Sequence, residues 1–419
     1  MIRARGARRA LGSDFTRLLA AAVVSNLGDG VRLAAGPLLV AALTSDPALV
    51  GGAVFVQQLP WLLLSLPAGA YVDRLDRRRL LVGVSLARAL LAAVLTVAVA
   101  TGTAGVPLVY VVLFAVGVAE VVADNTSSAL VPALVAPAEL PRANARLTTA
   151  FLVGNQFAGP PLGAWLFVAG AAVPFGAEAA GFALTLPLLL GVKATRPTAT
   201  LTTRREKAWL RQDVTEGLRW LWHQPAIRLL ALVLTAMNVT FMVAFAVWVL
   251  YARERLGLAG AGFGFLLTAS ALGGLAGAAA TGRLTDRFGP AALLRTGLLV
   301  ETVVHIVLAL TRSPWIAGAT MVVFGAHAAI WGVVVVTLRQ RLVPDRLRGR
   351  VSSVYFFLTM GGAAIGALAG GFLARGLGLT APFWIAAAGN ATLIPVVWRQ
   401  LTPATLATSS AHLAQSEHH

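Results

Sequence analysis

The sequence predicts an all-α integral membrane protein with twelve transmembrane helices in two parallel six-helix repeats, and three observations carry that prediction. Apolar residues make up 58% of the chain and charged residues 12%, about half the charged share of an average soluble domain. Runs of roughly twenty apolar residues, the length that crosses a bilayer, fall six and six around one long polar segment. A short basic turn, Gly69-Ala-Tyr-Val-Asp73-Arg74-Leu-Asp-Arg77-Arg78-Arg79-Leu80-Leu81, returns half a chain later as Gly282-Arg-Leu-Thr-Asp286-Arg287-Phe-Gly289-Pro-Ala-Ala-Leu293-Leu294. Each copy sits between two apolar runs, as a tight charged hairpin between two spans.

Taken in order, the runs cover about 15–43, 47–72, 80–100, 106–131, 146–169 and 173–193, then 227–251, 261–282, 291–311, 315–337, 351–373 and 379–398. The first is too long for a cleavable signal peptide and carries Asp29 and Arg32, so it is expected to remain as a span. A second repeat is independent of the turn: Pro137, Leu140, Gly154, Gly159 and Gly163 fall on Pro344, Leu347, Gly361, Gly366 and Gly370. Spans four and five therefore correspond to ten and eleven in the same order and orientation, which makes the halves parallel repeats about an axis along the membrane normal. The expected units are an N-terminal six-helix bundle (1–193), a linker (194–226), a C-terminal six-helix bundle (227–399) and a polar, disordered tail (400–419).

Within the linker, Trp209, Leu210, Val214, Leu218, Leu221 and Trp222 recur at helical spacing. They fit an amphipathic helix on the cytoplasmic leaflet and equally a surface helix packed beneath the bundle.

A net charge of +17 raises nucleic-acid binding, but the positions of the basic residues exclude it. Nearly all of the 34 Lys and Arg fall in loops on one side, with Arg253, Arg255, Arg312 and Arg375 outside. That asymmetry places both termini in the cytoplasm. The lysines, Lys193 and Lys207, follow Val192 and Glu206, so no Walker Gly-Lys-Ser/Thr turn exists. No His-Glu-x-x-His or Gly-x-Ser-x-Gly motif points to a hydrolase either. Cysteine is absent, which removes thiol chemistry and cysteine-ligated metal. No enzyme activity, cofactor or metal is expected.

Six plus six spans with a Gly-x-x-x-Asp-Arg turn after span two and a weaker copy after span eight resemble the major facilitator superfamily. Ser25-Asn-Leu-Gly-Asp29, Leu140-Pro-Arg-Ala-Asn144, Gly159-Pro160-Pro-Leu-Gly163 and Val343-Pro-Asp-Arg-Leu-Arg-Gly349-Arg350-Val narrow the likeness to its enterobactin-exporter-like and macrolide-efflux-like branch. Departures are Asp76 where that turn usually has Gly, Leu80 where it has a basic residue, and Pro290 and Ala291 in the second copy.

The resemblance implies a secondary transporter that works by alternating access as a monomer in a bacterial inner membrane. It also implies a cytoplasmic gate of Gly69, Asp73, Arg74 and Arg77, with Asp73 facing the start of span eleven and Arg77 reaching Asp124; Gly282, Asp286 and Arg287 form the weaker copy. Topology enforcement explains Arg78 and Arg79 as well as a latch does, but leaves Gly69 and Asp73 unexplained. Gly159, Pro160 and Gly163 resemble an exporter motif, with Ala164 in place of its second terminal Gly, and are expected to serve close packing between bundles; a generic small-residue seam accounts for the same residues.

Ionisable residues within spans are costly and mark function: Asp29, Arg32, Arg88, Glu120, Asp124, Glu301, His305 and His327. The superfamily lines its cavity with spans one, four, seven and ten, which makes Asp29, Arg32, Glu120, Asn238 and His327 candidate cavity and proton-coupling residues. Asp29 and Arg32, three apart on one helix, can equally neutralise each other. Glu301 with His305 reads better as a structural pair, and His327 beside Trp331 better as an interior histidine. Glu120 has only Asp124, a like charge, on its own helix, and is the leading candidate for a carboxyl that titrates during turnover. The expected activity is proton-driven export of a hydrophobic or amphipathic small molecule; an importer and a non-transporting membrane sensor are the alternatives.

Overall fold

The computed structural model describes residues 11–64, 75–193, 206–258, 261–344 and 347–401. Eleven helices among them are long and apolar enough to cross a membrane. They are Ser13–Leu43, Pro47–Leu64, Arg77–Ala100 and Val106–Leu134 as spans one to four, Val173–Leu190 as span six, then Pro225–Phe245, Ala261–Phe288, Pro290–Leu310, Pro314–Leu342, Arg348–Leu377 and Ala381–Gln400 as spans seven to twelve.

Span five is the twelfth, and it is helical in three pieces: Leu140–Phe151, a π-helical stretch Leu152–Ala158, and Gly159–Ala169. The sequence explains the break. Pro160 and Pro161 have no N–H for the carbonyls four residues back and crowd the preceding turn. The Gly159 N–H donates instead to the Gly154 carbonyl five residues back, the π pattern.

Proline also marks where spans begin. Pro107, Pro174, Pro225, Pro290, Pro314 and Pro382 occupy the first or second helical position, where a missing N–H costs no hydrogen bond. The two copies of the basic turn start the next span differently at the same repeat position. The Asp76 side chain caps span three by accepting from the Arg79 N–H at 3.0 Å, whereas Gly289 adopts φ 76°, a conformation that favours glycine.

Packing obeys the repeat. Span one lies on five and six as seven lies on eleven and twelve; two packs on four as eight on ten; three on six as nine on twelve. The halves meet through two against eleven and five against eight, two contacts that exchange under the repeat. This is the architecture of twelve helices in two parallel six-helix repeats.

The repeated glycines do the same work in both halves. A Cβ on Gly163 would collide with the backbone of Val31 in span one, and one on Gly370 with the backbone of Val243 in span seven. This corrects the expectation that Gly159-Pro160-Pro161 serves packing between bundles. Its glycines seat span five on span one within the N-terminal half: a Cβ on Gly30 would come 2.8 Å from the Gly159 Cα. The neighbours Ala164 and Trp165 face span eight instead, where Trp165 Nε1 donates to Thr268 Oγ1 at 3.3 Å.

At the end opposite the termini, polar contacts tie the halves together. Arg253 donates to the Ala41 carbonyl at 2.8 Å, and Arg375 lies 3.6 Å from Asp46. Gly51 and Gly371 let spans two and eleven touch backbone to backbone. Arg255 donates to the carbonyls of Ala309, Leu310 and Thr311, capping the last turn of span nine. Three of the four arginines that break the charge asymmetry therefore fasten helix ends.

In the linker, residues 194–205 lie outside the description and a helix spans Glu206–His223. It packs beneath span eleven: Gly217 approaches the Arg350 backbone, Glu216 pairs with Arg350, and Leu221 is fully buried. Leu218 and Trp222 stay exposed. Elsewhere, outward-facing Leu90, Val97, Leu184, Leu272 and Ile365 give the bundle an apolar surface suited to lipid.

Candidate functional site

Spans one, three, four, five and six converge on a cluster of buried charge. Asp29 and Arg32 lie three residues apart on one face of span one. That face is held close to span five because Gly30 packs directly on the backbone of Gly154, Asn155 and Gly159. Arg32 forms an ion pair with Glu120 of span four, reaches Glu178 of span six at 3.3 Å through Nε, and Asp29 at 3.4 Å. Asp29 pairs with Arg88 of span three, which also donates to Ser25 Oγ at 2.7 Å. The Arg88 guanidinium lies 3.9 Å from the centre of the Phe182 ring, a favourable cation–π contact. Asn155, in the π-helical stretch, places Nδ2 3.5 Å from Glu120 Oε1.

Asp29, Arg32, Arg88, Glu120 and Glu178 are each at most 5% exposed. Removing such ions from water costs several kcal/mol each, recovered only through close pairing. The ledger here is uneven, with three carboxylates against two guanidiniums. Arg32 Nη1 is buried and has no hydrogen-bond partner among the described residues.

Two readings of the sequence change. Asp29 and Arg32 do not simply neutralise each other, because each has a closer partner on another span. Glu120 is not an isolated carboxylate, because Arg32 meets it. Glu178 and Asn155 were missed although the signal for Glu178 was present, a lone carboxylate in an apolar run. Asn155 depends on the π turn, which moves it onto the face toward Glu120.

A second cluster lies in the C-terminal half. His327 Nε2 is 2.8 Å from Glu301 Oε2, and His305 Nδ1 is 3.8 Å from Glu301 Oε1 and 2.8 Å from its backbone oxygen. Gly297 makes room for the His327 ring. Glu301 thus joins both histidines. In the register of the repeated turn Arg88 falls on Glu301, and in the register of the second repeated block Glu120 falls on His327. Both halves therefore keep ionisable residues at these two positions, but only in the C-terminal half do the two meet each other, Glu301 with His327; Arg88 pairs with Asp29 and Glu120 with Arg32.

The remaining candidates are dispersed. Asn238 is half-buried on span seven and donates to the Leu234 carbonyl at 2.9 Å. Spans seven and ten also bring together Phe241 and Phe324, stacked at 5.1 Å, beside Trp248. Gly69, Asp73 and Arg74 lie outside the described residues. The expected contact of Arg77 with Asp124 is not formed: Arg77 donates to the Ala129 carbonyl at 2.9 Å, further along span four, while Asp124 lines a cavity inside the N-terminal half. Gly282, Asp286 and Arg287 are exposed at the end of span eight, with Arg287 over Phe288.

A duplicated six-helix bundle enclosing buried charge is the build of a major facilitator superfamily transporter. The chain matches the family described as transmembrane secretion effector over residues 11–418 and belongs to it. It is 28% identical over 380 residues to the multidrug efflux pump Tap of Mycolicibacterium fortuitum, covering 87% of this chain and 90% of that protein. It is 43% identical over 120 residues to an uncharacterised MFS-type transporter of Mycobacterium tuberculosis, a match that covers 28% of this chain and 27% of that protein. Among solved structures, the nucleoside transporter NupG superposes with a TM-score of 0.72 at 11% identity, covering 92% of this chain and 99% of that one. A bacterial homologue of the iron transporter ferroportin gives 0.68 at 20% identity, covering 94% and 99%. Family and fold are those of a transporter rather than an enzyme.

Proposed function

We propose that the protein exports a hydrophobic or amphipathic small molecule, such as a drug, antibiotic or siderophore, by alternating access driven by inward proton movement. It acts as a monomer in the bacterial inner membrane with both termini in the cytoplasm. The observation that carries the coupling is the excess carboxylate in the N-terminal cluster. A bound proton neutralises that charge and changes what Arg32 must hold, which gives the two bundle orientations different energies at different proton occupancy. Similarity to a multidrug efflux pump supports the export direction.

In proteoliposomes with an imposed pH gradient, Glu120→Gln is expected to keep substrate binding and abolish gradient-driven transport. Asp29→Asn is expected to lose it less completely. Full gradient-driven transport in both variants sinks this coupling site and leaves Glu301, His305 and His327 as the carriers. An absence of flux in the wild type favours a sensor.

Topology is tested by single cysteines, since the chain has none of its own. Cysteine at Ser45 is expected to react with an impermeant reagent from outside, and at Ser13 only after permeabilisation. The reverse pattern inverts every sided assignment.

The gate assignment makes Asp73 with Arg74 and Arg77 the main cytoplasmic latch. Asp286 is exposed, and among the described residues it makes no ion pair. Asp286→Asn is therefore expected to leave transport within about twofold of wild type, and Asp73→Asn to impair it far more at equal membrane levels. Equal defects in a whole-cell efflux assay count against the first turn as principal latch.

A further inference from the structure

Beneath the N-terminal charge cluster, toward the termini, the same five spans enclose a cavity of about 220 Å³. Its lining stands in register with the cluster. Ser25 lies four residues before Asp29, Ser85 three before Arg88, and Asp124 four after Glu120. Steps of three and four keep one helix face. Odd spans run away from the termini and even spans toward them, so each lining residue is one turn nearer the termini than its partner in the cluster. Ser25 is itself bonded to Arg88, which binds Asp29.

Asp124 is half-buried in this lining and makes no hydrogen bond or ion pair among the described residues. The charged groups acting on it are Glu120 on its own helix, Asp29 on span one and Arg88 on span three. From spans five and six it is faced by uncharged Leu147, Thr148, Thr185 and Leu189. The lining is mixed, with Leu18, Leu81 and Phe151 beside Ser25, Ser85, Ser127 and Asp124; the volume has room for several waters, and the polar groups give them partners. Glu120 stands just outside the lining, one helical turn, about 5.4 Å, from Asp124, a distance that one bridging water would close.

We propose that this cavity is the proton portal of the N-terminal half: a hydrated vestibule through which the buried carboxylates exchange protons with the compartment on the side of the termini, with Asp124 as relay. A proton leaves a carboxyl oxygen of Glu120 onto a cavity water, a second proton passes from that water chain to a carboxylate oxygen of Asp124, and Asp124 releases it to bulk water. Charge and protons balance with no other reactant. Proton and substrate then follow separate paths, one inside a bundle and one between bundles. The inference rests on the proton-coupled reading.

The test needs no substrate. Infrared spectra of the purified full-length protein are recorded in H₂O and after a jump to D₂O, following the C=O band of the buried carboxylic acid, which Glu120→Gln or Glu178→Gln identifies by removing it. Asp124→Asn is expected to leave the band in place but slow its isotope exchange about tenfold or more, with Asp124→Glu restoring the rate. Should Asp124→Asn fold poorly, Ser128→Cys, at an exposed position of the lining, is labelled with a charged methanethiosulfonate in the native Asp124 background. The attached group is expected to plug the cavity and slow exchange likewise. Exchange as fast as in the wild type in both cases overturns the portal while leaving proton coupling intact. If the wild type has no carboxylic-acid band that these Glu→Gln changes remove, the N-terminal cluster is not the coupling site, and the portal fails with it.

Discussion

Replacing Arg32 with leucine is expected to abolish transport and to cost most of the folded protein. Arg32 sits at the centre of three carboxylates on three spans, at 2% exposure. Truncating it leaves Glu120 and Glu178 buried without a cation, since Arg88 is engaged by Asp29. Breaking a buried pair from one side costs about 3–5 kcal/mol because the abandoned charge stays in low dielectric. The check is the yield of monodisperse protein and its melting temperature in detergent. The triple variant Arg32→Leu, Glu120→Gln, Glu178→Gln removes the charges together and is expected to recover the fold without recovering gradient-driven transport. If Arg32→Leu alone melts like the wild type, the network is not the keystone of the N-terminal half.

The two halves have diverged chemically on one scaffold. At equivalent positions the N-terminal half has Arg88 and Glu120 and the C-terminal half Glu301 and His327. The first half adds Asp29, Arg32 and Glu178, and so gains a network of three carboxylates and two guanidiniums across four spans. The second adds His305 and closes a compact Glu–His group between spans nine and ten.

The architecture was legible because it depends on patterns that survive any side-chain detail: apolar length, basic asymmetry, and glycines repeated in register. Gly163 and Gly370 match in sequence and meet the same backbone in their respective halves. The partners of the buried charges were less legible. That Arg32 would meet Glu120 and Glu178 depends on the rotation of spans four and six, which an almost uniformly apolar helix does not encode. Asn155 was hidden by the π turn, since helical periodicity fails where Pro160 and Pro161 shift the hydrogen-bond pattern. The Gly-Pro-Pro motif was placed at the wrong interface because a small-residue seam shows only that something comes close, not what.

Gly163→Leu is the sharpest probe of that seam. A side chain there meets the Val31 backbone, which has no rotamer with which to yield; overpacking of this kind costs about 3 kcal/mol when the neighbour is rigid. Relief requires span one to move away from span five, and that movement carries Arg32, one residue beyond Val31, away from Glu120. The variant is therefore expected to melt well below the wild type and to lose proton coupling together. Gly370→Leu, which meets Val243 in the other half, is expected to lower the melting temperature similarly while any protein that folds keeps its N-terminal charge network and its coupling. Gly376→Leu, at an exposed site with nothing within 4 Å, serves as the control and is expected to melt like the wild type. A Gly163→Leu protein as stable and as well coupled as that control would mean that span one is not held by this contact, and the position of Arg32 would need another cause.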